Sequence, residues 1–125
     1  MPEQDVDHLS SLGLQWETFR EGGFNWLIIH NFPVPPGFNL SEVKVAIFIQ
    51  PGYPVAQLDM AYFYPHLQLN NQKAIGAITF QQINGSVFQR WSRHRTTANP
   101  WRPGIDDLST HLASINFWFE RELKK

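Results

Sequence analysis

The chain has 125 residues, 42% of them hydrophobic, and ten Lys plus Arg stand against eleven Asp plus Glu for a formal net charge of -1. That length, with ten Phe, five Trp and three Tyr to bury, predicts a single domain over residues 1–125 with its own core. The near-neutral balance argues against a general nucleic-acid binder, and the absence of cysteine excludes a disulfide, a thiolate metal site and a cysteine nucleophile.

No apolar run approaches the roughly 18 residues that a membrane span needs, and the polar start MPEQDVDHLSS does not read as a signal peptide, so the expected address is the cytoplasm. Val6, Leu9, Leu12, Leu14 and Phe19 recur loosely and predict a helical N-terminal segment, interrupted by Gly13 and ended by Gly22-Gly23. The period then changes. Phe24 to His30 is rich in β-formers and is stopped by Pro33, Pro35, Pro36 and Gly37. Glu42 to Ile49 alternates, with Val43, Val45, Ile47 and Ile49 on one face, and Pro51-Gly52-Tyr53-Pro54 closes it with turn chemistry.

Leu58 to Tyr64 reads as a further strand ended by Pro65. Ala77 to Gln82 and Ser86 to Trp91 flank Asn84-Gly85, a strong hairpin signal because both residues tolerate positive φ. Leu108, Leu112, Ile115 and Phe119 form one helical stripe in a segment running from Ile105 to Leu123. Asp106 and Asp107 suit its first turn, and Arg121, Lys124 and Lys125 suit its end, by the helix dipole. The order of helix, antiparallel strands, irregular stretch and final helix is α+β.

Two loop motifs stand apart: Gln89-Arg90-Trp91-Ser92-Arg93-His94-Arg95 and Asn99-Pro100-Trp101-Arg102-Pro103-Gly104. Read as a site, they offer a serine hydroxyl, an imidazole to act as its base and guanidinium groups to steady an anion. Read as structure, the tryptophans plug the core while the arginines stack on them or pair with carboxylates. Both readings stand at this level. His8, His30, His66, His94 and His111 are scattered without ligand spacing, so no metal site is expected, and no glycine pattern indicates a phosphate or cofactor loop.

The stretch from the first strand through Pro51-Gly52-Tyr53-Pro54 to the strand ended by Pro65 resembles the segment of ubiquitin-conjugating enzymes around their "YP…PP" turn. Asn84-Gly85 resembles the turn before their active-site strand, and Trp101-Arg102-Pro103 followed by the last helix resembles their "W-x-P" loop. With the WSRH and WRPG elements, the chain from about residue 24 to 120 is similar to the bacterial group known as prokaryotic ubiquitin-conjugating enzyme family E. That resemblance implies an N-terminal helix, a four-stranded antiparallel meander and C-terminal helical structure. It also implies the partners: a ubiquitin-like modifier, an adenylating (activating) enzyme and often a metal-dependent deconjugating peptidase, encoded in operons associated with defence against phage.

Two departures bear on chemistry. The family's His-Pro-Asn tripeptide, whose asparagine helps stabilise an oxyanion, is replaced by Tyr64-Pro65-His66, and the acceptor cysteine is missing. Counting from the hairpin glycine places the acceptor at Phe88, whereas counting back from Trp101 places it at Ser92. The expected catalytic set is therefore Ser92 as oxyester acceptor, His94 as its activator and Arg93 on the oxyanion. Arg90, Arg95, Trp91 and Trp101 are expected to bind the modifier. The alternatives are an inert adaptor that binds the modifier or its activating enzyme, and a small hydrolase or nuclease built on the Arg/His loop.

Overall fold

Trp16, Thr18 and Arg20 alternate with Glu17, Phe19 and Glu21. In the computed structural model, which describes residues 2–95, 98 and 100–125, this stretch is a strand and not the tail of a helix. The N-terminal helix α1 is confined to Glu3–Ser11, and Trp16–Glu21 forms β1. Gly22 and Gly23 both take positive φ, 62° and 81°, and join β1 to β2 (Phe24–Pro33) as a two-residue hairpin with Glu21 opposite Phe24. A glycine pair can end a helix or turn a hairpin, and the pairing of Trp16–Glu21 with β2 decides for the hairpin. Asn99 of the second loop motif lies outside the described residues.

The remaining elements are β3 (Glu42–Ile49), β4 (Ala61–Tyr64), β5 (Ile78–Ile83), β6 (Ser86–Trp91) and α2 (Leu108–Leu123). The sheet has six antiparallel strands in the order β1-β2-β3-β4-β6-β5, which corrects the expected four-stranded meander. β3 and β6 fall where the alternation put them, and Asn84-Gly85, at φ 49° and 84°, turns β5 into β6. β4 starts at Ala61, three residues later than expected, because Met60 sits in the left-handed region at φ 58° and breaks the extended run.

Both helices contribute to the core on one face of the sheet. Leu9 from α1 and Leu108, Leu112, Ile115 and Phe119 from α2 pack with Leu27, Ile29, Val45, Ile47, Phe63 and Trp91. Burial of each such side chain contributes about 2 kcal/mol. The helix α2 begins at Leu108, not Ile105: Asp107 is its N-cap, accepting the Thr110 N–H at 3.2 Å while its own N–H donates to the Thr110 hydroxyl at 3.0 Å. Asp106 lies before the helix and is buried.

The opposite face carries Trp26, Ile28, Ala46, Tyr62, Ile83 and Phe88, edged by Phe19, Phe48 and Tyr64. Trp26 meets Phe48 and Tyr62 edge-on, at 5.2 Å in each case. The two hairpin turns lie at diagonally opposite corners, and the Glu21 carboxylate accepts the Asn84 N–H at 3.1 Å. Twist lifts one pair of diagonal corners toward the same face, which is how residues at opposite edges meet.

Candidate functional site

The end of β6 nearest Trp91 lies beside the start of β4, since Ala61 and Trp91 are in register, and the last turns of α2 lie against the residues that follow. An open cleft of about 360 Å³ forms there. It is lined by Gly76 and Ala77 ahead of β5, by Ser92, Arg93 and His94 after β6, and by Trp118, Arg121, Glu122 and Lys125 of α2 and its end. The three expected catalytic residues thus share one cleft. The other positions considered for this chemistry do not reach it: Phe88 is buried in the opposite face, and Tyr64-Pro65-His66 follows the far end of β4.

Ser92 is partly buried, and its N–H donates to the Ala77 carbonyl at 3.0 Å, extending the β5–β6 pairing by one bond. Its hydroxyl makes no hydrogen bond to His94. The imidazole is instead anchored through Nδ1, 2.8 Å from Oδ2 of Asp59. The other oxygen of Asp59 accepts the Met60 N–H at 3.1 Å, and that N–H is shared with the Arg93 carbonyl, also at 3.1 Å. On the far side, His111 of α2 reaches the Met60 carbonyl through Nε2 at 2.8 Å. The Asp59-Met60 step is therefore tied to the Ser92 loop and to the last helix at once.

Arg93 is engaged on several sides. Its guanidinium donates to the carbonyls of Gly76 (3.1 Å) and Ser92 (3.2 Å), lies 3.8 Å from Glu122 and sits 5.0 Å over the Trp91 ring. Burial pulls its pKa below the usual arginine value, Glu122 opposes that, and the nearby cation of Arg121 adds to it. Lys125 reaches the same buried Glu122 at 2.8 Å. Arg93 and Lys125 thus pair with Glu122 while Arg121 lines the same cleft, and three cations against one carboxylate leave the α2 wall favouring an anionic group. Among the described residues, no cluster of three metal-ligating side chains forms.

The four residues expected to bind a modifier are placed elsewhere. Arg90 projects to the Tyr62 face, because successive strand residues point to opposite sides. Trp91 is fully buried, packs against Phe63 and Phe119 and donates its indole N–H to Gln89 at 2.9 Å. Arg95 lies 4.9 Å over the Trp101 ring and 3.9 Å from Asp106, and Trp101 donates to the Pro54 carbonyl at 3.0 Å. For Trp91, Trp101 and Arg95 the structural reading of the loop describes what they touch. Sequence reasoning missed Asp59 as the partner of His94, and Trp118, Arg121 and Glu122 as residues lining the cleft with Ser92. An aspartate inside a presumed strand was the one local signal, and the α2 residues gave none.

A family model described as Prokaryotic E2 family E matches residues 1–122. No curated protein and no solved structure matches the chain at a significant level. No helix is long and apolar enough to cross a membrane among the described residues.

Proposed function

The chain belongs to the prokaryotic E2 family E, with that family's conjugating-enzyme-like role, and from this premise we propose that it accepts a ubiquitin-like modifier from an adenylating enzyme as an ester on Ser92. The observation that carries the reading is the cleft itself: in a chain without cysteine, a hydroxyl, an aspartate-anchored imidazole and the cations of α2 line one opening. The Ser92 hydroxyl attacks the activated carbonyl at the modifier's C-terminus and its proton passes to Nε2 of His94. The new Oγ–C bond replaces the bond to the activating group, which leaves with its electron pair. A target nucleophile then displaces Ser92, which takes a proton back. Arg121 and Lys125 favour the negative charge that develops on the carbonyl oxygen as Ser92 attacks, and Arg93 holds the loop that carries Ser92.

A second reading is favoured by two observations. The Ser92 hydroxyl is not hydrogen-bonded to His94, and Arg93 is already paired, so the cleft also suits an adaptor that binds the modifier or the activating enzyme without accepting the acyl group. The two separate in one assay. Incubated with activating enzyme, modifier and ATP, the wild-type protein should form an adduct that resists reductant and is released by hydroxide, and Ser92→Ala should abolish it. An adduct undiminished in Ser92→Ala, or none on the wild type, sinks the ester reading. Stable complex formation without an adduct supports the adaptor.

A further inference from the structure

We infer that Asp59 is a positioning residue of the Ser92 site, fixing the proton of His94 on Nδ1 and leaving Nε2 as the proton acceptor; this rests on the ester reading above. A carboxylate has no proton to give, so the 2.8 Å contact between its Oδ2 and Nδ1 requires that nitrogen to be the donor. In a neutral imidazole the other nitrogen then carries the lone pair, which is the state a general base needs.

The surroundings fix the carboxylate more firmly than an ordinary surface ion pair would require. The Asp59 side chain is only 14% exposed, whereas that of His94 is 61% exposed. Its second oxygen is held by the Met60 N–H, and Met60 adopts a left-handed φ of 58°, an uncommon conformation for a residue with a side chain. The Met60 carbonyl is clamped by buried His111, and the Met60 N–H also meets the Arg93 carbonyl. The Met60–Arg93 backbone bond by itself ties the loop to the sheet. The Asp59–His94 bond therefore adds little to anchoring, and its effect falls on the orientation and tautomer of the imidazole.

The test uses the full chain labelled with nitrogen-15 at histidine, in mildly alkaline buffer, with His94 assigned by comparison with His94→Gln. Long-range proton–nitrogen correlations should show the Nδ1–H tautomer in the wild type. In Asp59→Asn the side-chain amide can donate to Nδ1, so the Nε2–H form should grow. Ester formation should fall by about a hundredfold, the low end of a general-base contribution, with Asp59→Glu restoring part of the rate. A wild-type spectrum with Nε2–H overturns the inference without need of any variant. So does an Asp59→Asn protein that keeps both tautomer and rate. Nδ1–H in a wild type that forms no adduct instead overturns the ester reading and leaves the tautomer assignment standing.

Discussion

The carboxylate of Asp5, buried in α1, accepts a hydrogen bond from the hydroxyl of Tyr53 and, through its other oxygen, from the backbone N–H of Leu108 at 3.3 Å. One acidic side chain thereby joins the first helix, the loop after β3 and the first residue of the last helix. Burial, and then the neighbouring Asp5 carboxylate, push the Tyr53 hydroxyl well above its usual range, so it stays a donor. Tyr53→Phe should cost about 1–3 kcal/mol, the range for leaving a buried acceptor short of a partner. Urea denaturation checks this, and an unchanged midpoint with an unchanged slope would show that the Tyr53 hydroxyl contributes nothing to holding α1.

His111 makes stability depend on pH. Burial is the largest cause of its pKa falling from 6.5 to about 4, with the cation of Arg95 adding to it and the hydrogen bond to Met60 opposing. The folded state thus binds the proton more weakly than the unfolded state. The neutral form's advantage is complete above the unfolded pKa and is lost as pH falls from about 6.5 toward 4. A shift of this size corresponds to about 3 kcal/mol. Thermal midpoints should drop through that window in the wild type and less steeply in His111→Gln, compared by calorimetry.

Gln89 is a buried hub. Its amide donates to the Leu67 carbonyl at 3.0 Å, and its oxygen accepts from the Leu67 N–H at 3.1 Å and the Trp91 indole at 2.9 Å. Gln89→Leu keeps the volume but strands all three groups, so it should cost at least about 3 kcal/mol at roughly 1–3 for each unpaired polar group. Chemical denaturation of this variant beside Gln81→Leu, on the same hairpin but less buried, isolates the effect.

Arg93 and Arg121 line the same cleft and should behave differently. Arg93→Ala removes the partner of two carbonyls and weakens the pairing of buried Glu122, so it should destabilise the fold by about 2 kcal/mol. Arg121 is exposed, and Arg121→Glu should stay within about 0.5 kcal/mol of wild type while reversing the local charge. If the cleft receives the modifier's terminus, Arg121→Glu should slow adduct formation, with the defect shrinking at high salt. Stopped-time adduct yields at two ionic strengths check this.

The amino-acid sequence by itself determined the elements whose signal lies among near neighbours. The alternation from Val43 to Ile49 made β3, Asn84-Gly85 made the last hairpin, and the stripe Leu108, Leu112, Ile115 and Phe119 made the buried face of α2. It also placed Ser92, Arg93 and His94 in one short segment of a cysteine-free chain. It misled where one residue pair serves two purposes: Gly22-Gly23 could stop a helix or turn a hairpin, and only pairing with β2 makes Trp16–Glu21 a strand. Tertiary structure alone decided what surrounds Ser92. Asp59 lies 35 residues from His94, and Arg121 and Glu122 reach the cleft because the end of α2 packs beside the residues that follow β6. Neighbours along the chain set dihedral preferences and faces, but which faces and ends meet depends on packing around a shared core, and that is where His94 met its carboxylate partner and the cleft its cations.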